Sequence, residues 1–208
     1  MSTLDSFLGY VRPWAPGVPD PTAFKAIRGA VIEFCERTRL WKWEDEFEVS
    51  EEDCNSGIFT PNGSVVHDIE VVLFDGQELS PIATRDLDRH EKGWRTGDTS
   101  GGLPKYLTQI DQSTMRVVPA RAGSLYLCLR LKPSQDSNDI PEFISREYNE
   151  VIGWGALSRI LTVPGQSYTN PDLAGYYAQK FSEKLDRLSI KGATGQQNAP
   201  KRSRARFF

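Results

Sequence analysis

The sequence predicts an α+β fold, in which a small helical bundle carries an inserted β-rich lobe and a basic tail follows. Apolar residues recur with helical spacing after residue 20, alternate with polar residues through the middle of the chain, and return to helical spacing from 140 to 191. We place an N-terminal arm and helix at 1–42, the lobe at 43–133, a helical hairpin at 134–192 and the tail at 193–208.

The first segment combines a proline-rich arm with one helix. Prolines at positions 13, 16, 19 and 21 predict that the first twenty residues are irregular. Asp20 suits the N-cap and Pro21 the first helical position. Helical spacing of apolar residues then predicts a helix that ends near Leu40 and Trp41.

The middle of the chain has the alternation and turn residues of β structure. We predict about five strands from these periods, at 43–49, 65–73, 105–110, 114–118 and 124–132. The last carries large residues on both faces, which indicates a central strand. Residues 85–94 are predicted to form a short helix.

The hairpin is two helices joined by a connection that contains Pro-Gly and Asn-Pro. We expect Asp139 to cap the first helix and Asn170 to cap the second, and Gly192 to end the second. Gly153 and Gly155 weaken the first helix by about 1 kcal/mol each, so we expect a neighbouring helix to approach closely there.

Composition narrows the class of protein. Hydrophobic residues make up 38% and charged residues 25%, no apolar run approaches the roughly 18 residues of a membrane helix, and we expect no signal peptide. Cys35, Cys54 and Cys128 lack metal-site spacing; Cys35 and Cys128 fall in apolar patterns, which predicts buried free thiols and a reducing compartment.

Charge is distributed unevenly. The net charge is −3, but without the four basic residues of the last eight, 21 basic residues face 28 acidic ones and the charge is −7. Such a body argues against a nucleic-acid-binding face. Seven acids lie between 44 and 53; they are Glu44, Asp45, Glu46, Glu48, Glu51, Glu52 and Asp53.

The acidic run has three interpretations. It is a solvated edge strand whose charges discourage unwanted pairing, or a surface that repels DNA phosphates, or a partner in ion pairs between subunits.

The composition of the tail predicts a partner-binding segment that is disordered in the free subunit and becomes ordered when a partner binds. Its candidate residues combine charge with two aromatics; they are Lys201, Arg202, Arg204, Arg206, Phe207 and Phe208. The aromatics would anchor in a groove and the arginines pair at its rim. Disorder without a role and weak, salt-sensitive DNA contact are the alternatives.

Enzyme signatures are weak. Asp86, Asp88 and His90 superficially resemble a metal site, but their surroundings indicate a charged surface turn or helix. The glycine-rich segment 97–102 lacks the Lys-Ser/Thr end of a phosphate loop. We expect no catalytic residue, metal or cofactor.

Three segments resemble a known family. They are the proline-rich arm from Val11 that leads into residues 30–41, the Leu103-Pro-Lys-Tyr and Met115-Arg-Val-Val-Pro pair, and residues 148–174, with Gly-Trp-Gly and Thr-Asn-Pro-Asp at their core. Together they resemble the head-to-tail adaptor proteins of tailed bacteriophages, including the tail tubular protein A group, over most of residues 10–192.

The resemblance implies a structural protein of the virion neck. Family members have a helical part and a β lobe and typically form dodecameric rings beneath the portal, with DNA passing through. It implies portal and tail proteins as partners, with no membrane. It also implies that the C-terminal extension reaches a neighbour or the portal, and we expect the portal. In such a ring the acidic run would line the lumen and repel DNA phosphates. A tail terminator or head-completion protein, or a small nucleic-acid-binding module, is the alternative. The exposed aromatics expected to support a ring are Trp14, Trp41, Trp94 and Trp154.

Overall fold

The fold is α+β, as predicted. A computed structural model describes residues 2–50, 55–95, 102–111 and 114–194. The chain divides into two compact units. The helical unit comprises the described residues of Met1–Leu40 and Gln135–Phe208, and the β-rich unit comprises those of Trp41–Ser134.

The elements follow in chain order. The helices are a 3₁₀ turn at Leu4–Phe7, α1 Leu8–Val11, α2 Asp20–Thr38, α3 Thr84–His90, α4 Glu142–Glu147, α5 Asn149–Ile160 and α6 Pro171–Thr194. The strands are β1 Ser2–Thr3, β2 Lys42–Val49, β3 Asn55–Gly57, β4 Ser64–Phe74, β5 Gln77–Glu78, β6 Ser80–Pro81, β7 Tyr106–Gln109, β8 Thr114–Val118, β9 Gly123–Pro133 and β10 Asp139–Ile140.

The first residues of the chain are ordered, and the prediction of an irregular arm is wrong for residues 2–11. Four side chains of this stretch are buried: Leu4, Phe7, Leu8 and Val11. Their spacing of three, one and three residues is helical, so they place one apolar stripe against the unit's core. The prolines that suggested irregularity begin only after this stretch.

Helix α2 follows its predicted stripe but differs at both ends. Its N-cap is Pro19, and Asp20 is the first helical residue. The Asp20 carboxylate forms an ion pair with Arg12 at 2.8 Å. It ends at Thr38, short of Leu40, because Arg39 adopts a left-handed φ of 54° that a helix cannot continue through.

The first helix of the hairpin is divided. Asp139 does not cap it; Asp139–Ile140 pairs with Ser2–Thr3 as a two-stranded ladder. The chain then forms α4 and α5, separated at Tyr148, whose φ is −127°. The Tyr148 ring lies 5.0 Å from that of Phe34 on α2, so packing of this aromatic accompanies the break.

Close approach at the two glycines of α5 is confirmed. A Cβ at Gly153 would lie 2.8 Å from Cβ of Tyr10, and one at Gly155 would lie 2.9 Å from Cβ of Ala30 and 2.8 Å from the ring of Phe181. Only glycine lets α2 and α6 pack this near to α5.

Helix α6 begins as predicted and ends differently. The side chain of Asn170 accepts the N–H of Leu173 at 3.0 Å, which confirms the cap, and Pro171 opens the helix. Gly192 does not stop it, because α6 continues to Thr194. Instead, Gly192 lies directly against the carbonyl oxygen of Thr38, where a Cβ has no space.

The β-rich unit contains two four-stranded sheets, with strand orders β2-β9-β4-β5 and β3-β8-β7-β6. Strand β9 is central, as predicted, and its four odd-numbered leucines from 125 to 131 are fully buried. The estimate of five strands is low, since the described residues of this unit form eight. Strands β3, β5 and β6 are two or three residues long, too short for periodicity to show.

Two of the four predicted exposed tryptophans are buried. Trp41 is 7% exposed and Trp94 is 2% exposed, the latter packed with Leu87 and Val118. Trp14 is 55% exposed, as expected, and Trp154 is half-buried. The predicted free thiols Cys35 and Cys128 are confirmed as buried and unpaired, and Cys54 lies outside the described residues.

Candidate interaction surfaces

The described part of the acidic run lies on strand β2. Among the described residues, β2 has a neighbour only on one side, β9, so it is the edge strand of its sheet. Strand alternation turns Glu44, Glu46 and Glu48 to one face, and all three are exposed. We call these three residues the acidic triplet. Asp45 is half-buried on the other face, and Glu51, Glu52 and Asp53 lie outside the described residues.

Side chains of β9 contact two members of the acidic triplet, Glu46 and Glu44. The hydroxyl of Ser124 donates to Oε1 of Glu46 at 2.9 Å, and Tyr126 hydrogen-bonds to Glu44. Desolvation, followed by the charge of Glu44, raises the pKa of Tyr126 above its ordinary value. The three glutamate side chains remain exposed to solvent.

The polar face of the same sheet holds an internal ion network. Glu70 on β4 forms ion pairs with Arg130 at 2.5 Å and with Lys42 at 3.4 Å. The Cys128 thiol donates a hydrogen bond to the same carboxylate at 3.3 Å. Desolvation opposes ionisation of Glu70, but the thiol hydrogen bond and the two cations outweigh it and lower the pKa of Glu70.

The same network makes Cys128 unreactive. Desolvation first, then the hydrogen bond and charge of Glu70, raise the pKa of the Cys128 thiol to about 11. Since the thiolate is the nucleophilic form, this cysteine is not poised for catalysis near neutral pH. The network's role is to pair Arg130, whose side chain is only 4% exposed.

A second surface is an aromatic groove on the helical unit, with a volume of about 420 Å³. Three of its aromatics are well exposed: Trp14 at 55%, Tyr176 at 52% and Tyr10 at 40%. The remaining lining comes from α1, α5 and α6 and comprises Gly9, Glu150, Trp154, Leu157, Leu173, Tyr177 and Lys180. This many solvent-facing aromatics in one groove is typical of a protein-binding surface.

Contacts between side chains order several of the groove's aromatic rings. The Lys180 ammonium lies 4.6 Å from the ring centre of Trp154 and 5.2 Å from that of Tyr176, so one cation spans two rings. Trp14 meets Tyr177 edge to face at 6.1 Å. These contacts fix the aromatic rings before any partner binds, which lowers the entropy cost of binding.

The sequence indicated only part of this groove. Trp14 and Trp154 were expected to be exposed, but Tyr10 and Tyr176 were missed. A signal existed in helical spacing: Glu150 and Trp154, like Tyr176 and Lys180, are four residues apart and so share a helix face. Nothing in the sequence brings those two faces together.

Asp88 and His90, two of the three residues that superficially resemble a metal site, contact protein side chains. The Asp88 carboxylate accepts a hydrogen bond from Nε1 of Trp94 at 2.8 Å and two from the Arg95 guanidinium at 2.9 and 3.0 Å. The Arg95 and Trp94 hydrogen bonds lower the pKa of Asp88. The His90 ring lies tilted beside that of Tyr106, with ring centres 6.4 Å apart. Within the described parts of the chain, no group of three potential ligands could hold a metal ion.

The remaining predicted site residues cannot be placed. Lys201, Arg202, Arg204, Arg206, Phe207 and Phe208 lie outside the described residues, as does most of the glycine-rich segment 97–102. In the part of the chain that the structure describes, no helix is long and apolar enough to cross a membrane.

Comparison with known proteins finds no family model that matches this chain and no curated protein that is similar to it. The resemblance to head-to-tail adaptors therefore stays a prediction from the segments named above.

Proposed function

We propose that this protein is a structural head-to-tail adaptor of a tailed-phage virion. Copies of the chain form a ring beneath the portal, join the portal to the tail, and leave a lumen through which DNA passes. The role needs no catalytic group, metal or cofactor. Support comes from the three resembling segments and from an architecture of one helical unit and one β-rich unit.

The observation that carries the proposal is the aromatic groove. Exposed Trp14, Tyr176 and Tyr10 are large apolar side chains without a covering element in the described chain. Tryptophan and tyrosine are enriched at the binding hot spots of protein interfaces. A rigid groove of this kind suits a protein whose work is to hold other proteins.

Ring formation requires two different faces on each subunit. A closed ring with more than two members uses a heterologous interface, in which one surface meets another on the next copy. The groove on the helical unit and the acidic edge on the β-rich unit are two unlike surfaces of one chain. They are suited to different partners and not to pairing with themselves.

The charge of the body favours an adaptor over a nucleic-acid-binding module. The acidic triplet is exposed, and its carboxylates would repel phosphates and not hold them. On a lumen wall, such residues would let DNA slide without sticking. A tail terminator or head-completion protein would share these surfaces and is distinguished by its partner.

The test is assembly with the portal. The full chain is expressed alone and together with the portal protein encoded in the same genome, and the products are analysed by light scattering and electron microscopy. We expect a ring of this protein stacked on the portal. A chain that joins only tail-tube proteins and never the portal would contradict the adaptor role.

A variant pair tests the groove itself. Replacing Trp14 and Tyr176 together with alanine (W14A, Y176A) should abolish assembly, because it removes the two most exposed aromatics of the groove. The matched control is F59A, which removes an aromatic of the β-rich unit that is 73% exposed. Equal assembly of both variants would show that the groove takes no part.

A further inference from the structure

We propose that a cavity in the helical unit binds a small organic phosphate monoester. The cavity has a volume of about 810 Å³, which falls in the range of small-molecule sites, about 300–1,000 Å³. Its walls come from the first half of α2, from the end of α5 with the residues after it, and from Gln135. Three cationic side chains line it, Lys25, Arg28 and Arg159, and none of the described lining residues is acidic. This site is separate from the aromatic groove and does not depend on the adaptor role.

The cations reach the cavity because of their positions on two helices. Thr22, Lys25 and Arg28 are three residues apart on α2 and so share one face of it. Gly29 adjoins that face, and a Cβ there would lie 3.4 Å from Nε of Arg159, which comes from α5. A larger side chain at Gly29 would therefore compete with Arg159 for this space. Helical spacing and this packing together bring three positive charges around one cavity.

The positive charge of Arg159 is already compensated. Its Nη2 pairs with Glu33 at 2.5 Å, and Glu33 also pairs with Arg37 at 3.4 Å. Arg37 pairs in turn with Asp186 at 2.6 Å. Because this series of ion pairs joins two cations and two anions, Arg159 brings no net charge to the cavity.

The charges of Lys25 and Arg28 are not compensated in this way. Nε of Arg28 donates to the carbonyl oxygen of Ser137 and Nη2 donates to Oδ1 of Asn138, each at 2.7 Å, and both acceptors are neutral. Neither Lys25 nor Arg28 forms an ion pair with any residue that the structure describes. The cavity therefore carries two positive charges. A phosphate monoester carries about −1.5 to −2 at pH 7, so its charge matches that of the cavity.

Arg28 is positioned to donate to such a ligand. Its two hydrogen bonds fix the plane of the guanidinium, while Nη1 donates to none of the described residues. Lys25 is exposed and can turn its three donors toward the same ligand. A fixed guanidinium loses less conformational freedom on binding, and its N–H groups form charge-assisted hydrogen bonds with phosphate oxygens.

The rest of the lining favours an organic ester over free phosphate. Pro21, Ala26, Ile160 and Val163 are apolar, and Ala26 and Ile160 are buried, so an organic group would have an apolar surface beside the cations. A nucleic acid would extend past the cavity over a body in which 21 basic residues face 28 acidic ones outside the last eight residues. The observations therefore favour a small ligand.

Isothermal titration calorimetry with the full chain tests the class of ligand. Phenyl phosphate is the probe. Phenyl sulfate has the same body with one negative charge, inorganic phosphate lacks the body, and benzyl alcohol lacks the anion. We expect phenyl phosphate to bind with a Kd of about 1 mM or below, phenyl sulfate and inorganic phosphate to bind at least about fivefold more weakly, and benzyl alcohol to show no binding.

Variants test the site. K25Q should weaken phenyl phosphate binding by about tenfold or more, because it removes a charged donor from an exposed position. The matched control is K184Q, which removes the same charge from an exposed position of α6 outside the cavity and should leave the Kd unchanged. R28Q should abolish binding. Circular dichroism checks folding, and if R28Q is unfolded, K25Q alone decides.

Other results would overturn the proposal. Phenyl phosphate that does not bind at millimolar concentration would exclude this class of ligand, and equal losses in K25Q and K184Q would mean attraction to overall charge. Equal affinity for phenyl sulfate or for inorganic phosphate would show that the charge match or the apolar lining takes no part. A short oligothymidine that binds more tightly than phenyl phosphate, and loses that affinity in K25Q, would assign the cations to nucleic acid.

Discussion

Replacing Gly155 with alanine probes the close packing of α5 against α2 and α6. Gly155 lies on α5 between α2 and α6, and its missing side chain is what lets both neighbours approach. An added Cβ would meet Cβ of Ala30 at 2.9 Å and the ring of Phe181 at 2.8 Å. The Phe181 ring can tilt, but Cβ of Ala30 moves only with the backbone of α2.

Two opposing effects set the magnitude. Alanine is favoured over glycine within a helix by about 1 kcal/mol. Overpacking a filled core costs typically about 1–3 kcal/mol, because side chains leave their rotamers and helices shift. The sum predicts that G155A lowers the free energy of unfolding by about 0–2 kcal/mol, and the rigid contact with Ala30 favours the upper half of that range.

The control is the same substitution at Gly175, on the exposed face of α6. No atom lies within 4 Å of a Cβ there, so G175A keeps the helical gain without a clash. It should raise the free energy of unfolding by about 1 kcal/mol. Both values come from urea unfolding followed by circular dichroism, with equal slopes required for the comparison.

The difference between the variants is the decisive quantity. We expect G155A to be less stable than G175A by about 1–3 kcal/mol, since helix propensity cancels and only the packing cost remains. If the two variants had equal free energies of unfolding, the close packing of α2, α5 and α6 at Gly155 would be wrong.

Three further predictions concern other contacts. G192A should loosen the last turns of α6, seen as faster amide hydrogen exchange there, because a Cβ has no space beside the Thr38 carbonyl; unchanged exchange would contradict that contact. E70Q should cost about 1–3 kcal/mol at pH 7, since it removes a charged acceptor from Arg130. The pKa of Glu70 is lowered on folding, so its stabilisation is present above the unfolded value of 4.5 and lost as pH falls through the folded value; E70Q should therefore flatten the acid side of a stability-against-pH curve. N170A should cost about 1 kcal/mol by urea unfolding, because it removes the α6 cap, and N170D, which keeps an acceptor, should cost less.

Long periodic segments were predictable from the sequence. Helix α2, helices α5 and α6 and the central strand β9 each carry an apolar pattern over many residues, and burial reproduces it. Their ends were less predictable. Arg39 ends α2 through a left-handed conformation, and Tyr148 divides the next helix beside an aromatic partner more than a hundred residues away.

The surfaces depend on contacts that are distant in sequence. Tyr10 joins Trp154 and Tyr176 in one groove only because Gly153 admits α1 against α5. Trp94 is buried because Leu87 and Val118 come together around it, and neither is marked as its partner in the sequence. The acidic triplet was visible as a charge run, but that β2 is an edge strand follows from which strands pair.

The acidic triplet also opposes pairing between the β2 strands of two copies of the protein. Two β2 strands from different copies could pair antiparallel, but an alignment centred on Glu46 would bring Glu46 against Glu46 and Glu44 against Glu48 twice. Like charges directly across two strands, about 5 Å apart, oppose pairing. At about 1 M salt the screening length falls to about 3 Å, which is shorter than that separation and weakens the repulsion. Concentrated salt should therefore be the condition under which purified protein forms irregular aggregates through this edge, and low salt the condition for storing it.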